Sequence, residues 1–297
     1  MTVSPRNWAT AWRGFLQRRE ALLGMNARNL EVIFEYNQRK DFPLVDDKVV
    51  TKSLLSNAGV AVPRTLAVIE GFLELGKLDG VMEAEAEFVI KPACGSGGSG
   101  VFLAAARANG GIQSPSGRFV PAKEIRRHVA EILYGSFSNN RSDKALLEER
   151  LHPHDFFREF YPIGLADIRV IVFKGAPALC MLRLPTAASR GTANLHQGGV
   201  GLGVDLATGK TTSAVCRGVA LGEHPDSRKA LLGARVPHWE EVIRTATQAA
   251  KQVPLGYVGV DLVLIPGGRV MVLELNARPG LQIQNAARVG LRAVLHL

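Results

Sequence analysis

The sequence predicts an α+β protein in which a short helical segment precedes two α/β lobes. Three observations predict this fold class. Strand-like segments occur in hairpin pairs, amphipathic helical patterns lie between them, and a glycine-rich loop, GSGGSG, connects two of the strand-like segments. We expect the helical segment at 1–45, the first lobe at 46–145 and the second lobe at 146–297.

Composition narrows the class of protein. With 46% hydrophobic and 21% charged residues, the 297-residue chain has the composition of a folded, soluble protein. Its three cysteines form no CxxC pair, which argues against a disulfide framework or a zinc site and predicts a reducing, cytoplasmic compartment. We find neither a signal peptide nor an apolar run that could span a bilayer. The net charge of +9 favours anionic ligands, but the basic residues are scattered, so nucleic acid is not expected as a partner.

The N-terminal segment has a helical pattern. Trp8, Trp12, Phe15 and Arg19 follow a spacing of i, i+4, i+7 and i+11, which predicts a basic amphipathic helix. Such a face could lie on a membrane surface, but we favour docking on the rest of the protein, the more frequent arrangement. The sequence leaves the oligomeric state open.

The first lobe begins with DDKVVTKSLLSNAGVAVPRTLAV. This stretch predicts a helix with Asp47 near its start and Gly59 at its end, followed by a strand led by Pro63. Strand-like segments at 88–91 and 101–105 flank the glycine loop, and a helical pattern follows at 121–134.

The glycine loop fits the pattern G-x-G-x-x-G of dinucleotide-binding turns. Such a turn opens a helix, and an acidic residue follows about twenty positions later. Here a strand-like run, VFLAAA, follows the loop, and PSGRFV supplies no carboxylate. We therefore predict a hairpin flap whose backbone amides bind the phosphates of a nucleoside triphosphate, aided by the charge of Lys91; a flexible surface turn is the alternative. The predicted contacts are Gly95, Ser96, Gly97, Gly98, Ser99 and Gly100.

The second lobe begins with three strand-like segments, at 145–148, 167–173 and 178–184. A Thr208-Gly209 turn predicts a further hairpin, and HWEEVIRTATQAAKQV predicts an amphipathic helix. The last residues, VGLRAVLHL, have a helical pattern that runs to the end of the sequence, as expected of a shortened chain.

The stretch GYVGVDLVLIPGGRVMVLELNARPG predicts a hairpin with a two-residue turn at its glycines. Pairing across that turn places Asp261 opposite Glu274, and Asn276 shares the face of Glu274 about 7 Å farther along the strand. A three-residue loop would shift this register.

These three side chains predict a metal site. Carboxylates on facing strands repel each other, and apolar residues flank them, so a divalent cation would offset an otherwise costly arrangement. Oxygen ligands without histidine or thiolate favour Mg²⁺ or Mn²⁺. The alternative is a solvent-exposed acidic face, which the apolar neighbours disfavour.

The order of these parts is similar to that of the ATP-grasp superfamily, which the chain resembles from Asp46 to its end. The shared parts are a lysine before a flexible glycine loop, an acidic strand, LLEERL, and D…E-x-N on a terminal hairpin. NLHQGG at 194–199 and GVDL…ELNARPGL are similar to motifs of RimK-type glutamate ligases, and the chain most resembles that group's alpha-L-glutamate ligase-related proteins. The resemblance implies an ATP-grasp fold that holds ATP between its two lobes.

The resemblance also implies a role for each matching residue. ATP phosphates would contact Lys91 and either Lys48 or Lys52, adenine would lie at the hinge, and an acidic residue would bind the ribose. The hinge and ribose residues are Glu148, Glu149, Leu151 and Asp167, with an ordinary strand edge as the alternative for the hinge. Two Mg²⁺ or Mn²⁺ ions would bind Asp261, Glu274 and Asn276. The residues near the γ-phosphate and the acceptor carboxylate would be Arg169, Arg183, Asn194 and Arg278, with a buried salt bridge as the alternative for Arg169.

The chemistry that the resemblance implies is an ATP-dependent, ADP-forming ligation. A substrate carboxylate attacks the γ-phosphate to form an acylphosphate, and the amine of an amino acid or acidic peptide then displaces phosphate to form an amide. The product could carry added glutamate or another amino acid. An ATP-dependent kinase on the same fold and a non-catalytic ATP-binding regulatory module are the alternatives.

Two features depart from the typical RimK-like pattern. About 45 residues precede the first lobe, where typical members have a complete α/β domain, so acceptor recognition is expected to differ. Arg278 stands in NARPG where RimK-like proteins commonly have a small residue, and it adds a cation that could bind a second carboxylate or a phosphate.

Overall fold

A computed structural model describes residues 20–297 of the protein. The predicted face of Trp8, Trp12, Phe15 and Arg19 therefore lies outside the described residues. Within residues 20–297, no helix is both long enough and apolar enough to cross a membrane. The α+β class is confirmed, since antiparallel sheets and helices alternate along this part of the chain.

The strands and helices of residues 20–297 are numbered in chain order. The strands are β1 (Thr65–Ile69), β2 (Phe88–Pro92), β3 (Phe102–Ala104), β4 (Ala106–Ala108), β5 (Gly111–Gln113), β6 (Phe119–Pro121), β7 (Ala145–Glu149), β8 (Asp167–Phe173), β9 (Ala176–Leu184), β10 (Val200–Val204), β11 (Thr211–Cys216), β12 (Val219–Ala220), β13 (Tyr257–Leu264) and β14 (Val270–Asn276). The helices are α1 (Met25–Arg28), α2 (Phe34–Tyr36), α3 (Pro43–Asp46), α4 (Lys48–Asn57), α5 (Gly76–Ala84), α6 (Ala122–Leu133), α7 (Asp155–Arg158), α8 (Trp239–Ala250), α9 (Gln282–Ala287) and α10 (Leu291–Leu295).

The first sheet has the antiparallel order β1-β7-β2-β3. Helices α5 and α6 pack on it, and the apolar positions of α6, spaced for one helical face, are buried in its core. The predicted flap is confirmed as a hairpin, because β2 pairs with β3 on either side of the glycine loop. A small sheet of β4, β5 and β6 follows the flap.

One predicted strand belongs to a different lobe from the one expected. Strand β7 was expected to open the second lobe, but it lies in the first sheet, between β1 and β2. Its residues are buried on both faces, as in a central strand, so its apolar run does not reveal which sheet it joins. The first sheet ends along the chain with β7, at Glu149, and the next strand, β8, belongs to the second sheet. The predicted division of the chain into three parts otherwise stays a prediction.

The second sheet has seven strands in the order β12-β11-β10-β9-β8-β13-β14. Helix α8 packs on one face of this sheet, where Val258, Val260 and Leu262 of β13 are buried. The opposite face is covered by the N-terminal helices together with α9 and α10. Tyr257 of β13 is buried under these segments, and Asp261 points to the same face of the sheet because side chains alternate along a strand.

The N-terminal segment is part of the core of the second lobe. Leu23, Val32 and Ile33 are fully buried against the sheet. The buried Asn37 binds backbone groups of Tyr257 and Ala277. Its Nδ2 donates to the carbonyls of Tyr257 (2.7 Å) and Ala277 (2.9 Å), and its Oδ1 accepts from the backbone N–H of Tyr257 (3.0 Å). Because all these polar groups are satisfied, the segment fixes the start of β13 and the end of β14.

The terminal hairpin places Asp261 opposite Glu274, but not through the predicted two-residue turn. The backbone N–H of Ile265 donates to the carbonyl of Arg269, which closes a three-residue loop. A β-bulge between Asp261 and Leu262 then adds one residue to β14 and restores the expected pair. The prediction of a two-residue turn was wrong, but the bulge restores the predicted pairing of Asp261 with Glu274.

Candidate active site

The site is built on the adjacent strands β8, β9, β13 and β14. Asp261 is buried at 2% exposure and lies opposite Glu274. The amide Nδ2 of Asn276 donates to Glu274 Oε1 at 3.3 Å and lies 3.5 Å from Asp261 Oδ2. The structure thus brings together the three predicted metal-binding side chains.

Two arginines neutralise the buried Asp261. Arg169 donates through Nε to Oδ1 (2.6 Å) and through Nη2 to Oδ2 (2.5 Å), a two-pronged contact that fits the planar guanidinium. Arg183 donates to Asp261 Oδ2 at 2.8 Å and also binds Asp167. The buried salt bridge that was the alternative for Arg169 is therefore present, and it lies inside the candidate site.

The carboxylates of the site differ in their proton affinity. Burial opposes ionisation of Asp261, but Arg169 and Arg183 outweigh it and hold its pKa below the ordinary value. Burial, reinforced by the charge of Asp261, raises the pKa of Glu274. Burial also raises the pKa of Asp167 to about 7, although Arg183 opposes this shift. The site therefore holds more carboxylates than its arginines neutralise.

The chemistry of this donor set fits a divalent cation. Asp261, Glu274 and Asn276 carry hard oxygen atoms, although Asn276 turns its Nδ2 toward the two carboxylates, so its Oδ1 would bind a cation only after the amide flips. A cation would oppose both the burial and the charge of Asp261, which together raise the pKa of Glu274. Among residues 20–297, no group of three or more His, Cys, Asp or Glu side chains forms a metal-binding cluster. An ion bound by Asp261, Glu274 and Asn276 would need further ligands from phosphate or water, which Mg²⁺ commonly uses.

Two lysines of the first lobe share a buried carboxylate. Lys91, at the end of β2, and Lys52, on α4, both form ion pairs with Glu148 of β7. The side chain of Glu148, predicted to lie at an adenine-binding hinge, is thus turned inward to the lysines. The neighbouring Glu149 accepts from the backbone N–H of Arg64 at 2.7 Å.

Lys48 has a different environment from Lys52. Its ammonium donates to the backbone carbonyls of Gly95 (2.5 Å) and Ala93 (3.3 Å), at the base of the glycine flap. Burial lowers its pKa, while the charge of Glu274 acts in the opposite direction, so Lys48 lies within electrostatic reach of the predicted metal site. Lys48 thus binds the base of the flap and is influenced by the charge of Glu274, whereas Lys52 is joined to Lys91 through Glu148.

The flap is held at two points along its glycine loop. Gly97, Gly98 and Gly100 have positive φ angles, which glycine adopts without strain. Asn194, from the second lobe, donates to the carbonyl of Gly97 at 3.2 Å, and His128 lies 2.9 Å from the carbonyl of Gly100. The contact made by Asn194 joins the NLHQGG motif directly to the flap. Ser96 and Ser99 are exposed, and Gly95 is buried at the base of the loop.

The sequence did not reveal Asp143, which anchors the base of the flap. Its carboxylate accepts from the backbone N–H groups of Cys94 (3.0 and 3.1 Å) and Lys144 (2.7 Å) and from the hydroxyl of Ser138. Asp143 is itself buried at 6% exposure. Its position two residues before β7 carries no pattern that distinguishes it from a surface aspartate.

Of the remaining predicted residues, Arg278 and Leu151 form no hydrogen bond or ion pair with Asp261, Glu274 or Asn276, whereas Asp167 is joined to Asp261 through Arg183. Arg278 is half exposed, lies 3.3 Å from Asp46 and stacks over the ring of Phe42 at 5.1 Å. Leu151 follows the end of β7 and is partly buried. Asp167 faces Arg183, so its predicted contact with ribose would require that pair to open.

Comparisons with known proteins give the following matches. The family model described as sugar-transfer associated ATP-grasp matches residues 27–296. None of the curated proteins matches the chain in sequence. Among solved structures, the chain is similar to the ATP-grasp ligase PsnB complexed with minimal precursor, at 17% identity and a TM-score of 0.45, over 86% of this chain and 58% of that one.

Two further solved structures are similar to the chain at comparable sequence identity and TM-score. D-cycloserine synthetase DcsG matches at 18% identity and a TM-score of 0.49, over 86% of this chain and 68% of that one. D-alanine–D-alanine ligase from Bacillus anthracis, complexed with ATP, matches at 15% identity and a TM-score of 0.46, over 85% of this chain and 63% of that one. The chain spans about three-fifths of the length of PsnB and of the Bacillus anthracis ligase.

Proposed function

The chain belongs to the sugar-transfer associated ATP-grasp family and has an ATP-grasp fold, and from this premise we propose that it is an ADP-forming carboxylate–amine ligase. One observation carries the proposal. A buried Asp261, held by Arg169 and Arg183, lies opposite Glu274 and beside Asn276. Arginines and metal-binding oxygens in one buried patch suit the transfer of a phosphoryl group.

ATP binding is proposed for the space between this patch and the first lobe. Lys91, together with Lys48 or Lys52, would neutralise the phosphates, and the glycine loop would supply backbone N–H groups. The strand edge after Glu148 would contact the adenine. The inward-facing Glu148 supports this proposal indirectly, because its ion pairs orient Lys52 and Lys91 in a buried site.

The residues of the second lobe would stabilise the charge that moves during the reaction. Mg²⁺ held by Asp261, Glu274 and Asn276 would supply Lewis-acid neutralisation of the phosphate oxygens. Arg169 and Arg183 present N–H donors beside the same carboxylate, where they can bind a carboxylate substrate and the phosphoryl group that it accepts. Such a reaction needs no nucleophile from the protein, because the substrate carboxylate attacks the γ-phosphate and the amine then displaces phosphate.

The flap would exclude water from the acylphosphate. Asn194 already contacts the carbonyl of Gly97 in the structure, so the two lobes meet at the loop. A closed flap protects a reactive intermediate from hydrolysis. We therefore propose Asn194 as the residue that holds the flap against the second lobe during the reaction.

The substrates remain predictions. Glutamate addition by a RimK-like ligase is the prediction from the sequence, and because the family is described as sugar-transfer associated we include sugar carboxylates among the acceptors to be tested. Cytoplasmic location also remains a prediction, and it is consistent with free thiols at Cys94, Cys180 and Cys216.

The proposal is tested by incubating the protein with ATP, Mg²⁺ and pools of amino acids, acidic peptides and sugar carboxylates such as uronic acids. Phosphate release and product mass are measured together. A mass gain of one amino acid minus water, with equimolar ADP and phosphate, identifies the ligase and its substrates. Phosphorylated products would instead identify a kinase, and ATP binding without turnover in any pool would favour a regulatory module.

A matched pair of variants tests the metal-binding patch. Glu274→Gln keeps the shape of the side chain but removes its charge, and we expect it to abolish ADP formation while the protein remains folded. The exposed Glu240→Gln on α8 is the control and should retain activity. ADP formation at the wild-type rate in Glu274→Gln would refute the assignment of this patch.

A further inference from the structure

A second feature lies on the same face of β13 as Asp261, toward the start of the strand. Tyr257 is completely buried, and its hydroxyl has no hydrogen-bond partner among residues 20–297. Tyr257, Gly259 and Asp261 alternate along the strand and therefore share one face. A buried hydroxyl without a partner is costly, so its presence on the face of the active site points to a ligand.

Arg28 of the N-terminal segment is a cation without a matching anion. Its guanidinium donates to the carbonyl of Pro279 (3.0 Å) and to the side-chain oxygen of Asn29 (2.8 and 3.2 Å), both neutral acceptors. It forms no ion pair with any carboxylate in the part of the chain that the structure describes. Burial lowers the pKa of Arg28, the phenol of Tyr257 acts in the opposite direction, and the charge of Arg278 lowers it again. An anion would relieve the effects of burial and of Arg278.

The turn at Pro279 and Gly280 lies between Arg28 and Arg169. Pro279 packs so closely on Gly259 that a Cβ added there would lie 2.7 Å from the proline Cβ. A Cβ added to Gly280 would have Arg169 Nη1 as its nearest neighbour, at 4.0 Å, which leaves room beside this guanidinium. Arg28 binds the other side of the turn through the Pro279 carbonyl.

The contacts of Arg28 with Pro279 and of Pro279 with Gly259 bring Arg28 to the face of β13 that carries Tyr257, and the charges of Arg28 and Arg169 act on its phenol. Burial raises the pKa of Tyr257 to about 12, while the positive charges of Arg28 and Arg169 act in the opposite direction. Both guanidinium groups are therefore close enough to affect the ionisation of the hydroxyl.

We propose that Arg28 and the Tyr257 hydroxyl form a binding subsite for an anionic group, a carboxylate or a phosphate, of the second substrate. This inference deepens the proposed ligase function and rests on it. The subsite lies beside Arg169, so an anion bound there would fix the second substrate next to the phosphoryl-transfer patch. The N-terminal segment thereby contributes directly to substrate recognition, in the place where a larger domain was expected.

Anion binding is measured without turnover, so that it can fail independently of the ligase assignment. Malonate and inorganic phosphate are titrated into the full-length protein at constant ionic strength, with and without Mg²⁺ and a non-hydrolysable ATP analogue. Arg28→Ala and Tyr257→Phe should each weaken binding about tenfold or more, as expected for the loss of a hydrogen bond to a charged group. The exposed Arg39→Ala, in the same segment, should bind like the wild type. Stronger binding of malonate assigns a carboxylate, and stronger binding of phosphate assigns a phosphorylated substrate.

A stability measurement distinguishes the subsite from a structural tyrosine. If the hydroxyl lacks a partner in the ligand-free protein, Tyr257→Phe leaves the melting temperature unchanged or raises it while weakening anion binding. A lower melting temperature would show that the hydroxyl has a structural partner and would overturn the proposal. Equal anion binding by the wild type and Arg28→Ala, or the absence of binding in the wild type, would also overturn it. Amide formation in the pool assay combined with either result would leave the ligase intact and reject only the subsite.

Discussion

Replacing Glu148 by glutamine removes the carboxylate that two buried lysines share. Glu148 is 3% exposed, Lys52 is 4% exposed and Lys91 is 9% exposed, so water cannot replace the lost charge without rearrangement. Glutamine has nearly the same volume, but its terminal NH₂ replaces one carboxylate oxygen and would face the ammonium of Lys52 or Lys91. The change therefore isolates the charge from the packing.

The expected loss follows from this burial. Removing one partner of a buried ion pair costs about 3–5 kcal/mol, because an uncompensated charge remains in a medium of low polarity. Both lysines lose their partner here, while loss of the proton from Lys52, whose pKa burial lowers, limits the cost. We expect a loss of about 3 kcal/mol, which lowers the urea midpoint by about 1–1.5 M for a slope of about 2–3 kcal/mol per M.

Urea unfolding followed by circular dichroism measures this loss. Glu149→Gln is the matched control, because its side-chain carbonyl can still accept from the Arg64 N–H, and it should change stability by less than about 1 kcal/mol. A loss of less than about 1 kcal/mol in Glu148→Gln would refute the reasoning, since the lysines would then not depend on Glu148 in solution.

The same variant tests the proposed role of Lys91 in nucleotide binding. ATP phosphates would supply the negative charge that Glu148→Gln lacks. A non-hydrolysable ATP analogue with Mg²⁺ should therefore raise the melting temperature of the variant by more than it raises that of the wild type. Equal shifts would place the triphosphate away from both lysines.

Three further predictions address the flap and the fold. Lys91→Ala should weaken ATP affinity about tenfold or more in a calorimetric titration, and unchanged affinity would contradict its assignment. Gly100→Ala should lose more stability in urea than Gly98→Ala: both positions have left-handed backbone and cost about 1 kcal/mol, but only at Gly100 does an added Cβ meet a ring, Phe137, at 2.6 Å. Burial lowers the pKa of His224 below 6.5, so the unfolded chain binds this proton at a higher pH than the folded protein does. The free energy of unfolding therefore falls as the pH drops below about 6.5. His224→Asn should lack this pH-dependent loss of stability in urea titrations compared at about pH 7.5 and 5.5.

Local patterns in the sequence were sufficient to predict most elements. Asp47 caps α4 by accepting from two backbone N–H groups, and apolar spacing predicted α6 and α8 to within a few residues. The flap hairpin followed from a strand on each side of the glycine loop. These features depend on neighbouring residues, so a single sequence contains the information that determines them.

Features that depend on distant contacts were not predictable in the same way. The β-bulge at the terminal hairpin leaves no mark in the composition of β14, and the predicted pair of Asp261 and Glu274 resulted from two deviations that cancel. The ionic partner of Arg278 is Asp46, 232 positions away, and no periodicity indicates that contact. Arg28 and Tyr257 likewise come together only when the N-terminal segment packs on β13.

The contact between Asn37 and Tyr257 has a consequence for folding during synthesis. These residues are 220 positions apart, and ribosomes add about 5–20 residues per second, so Tyr257 emerges about 10–45 s after Asn37. Until then Asn37 has no backbone of β13 to bind, and Leu23, Val32 and Ile33 can pack only on the earlier strands β8, β9 and β11 of an incomplete sheet. Part of their apolar surface therefore stays available to chaperones or to aggregation. The nascent chain must therefore protect its earliest apolar segment until its last two long strands have been made.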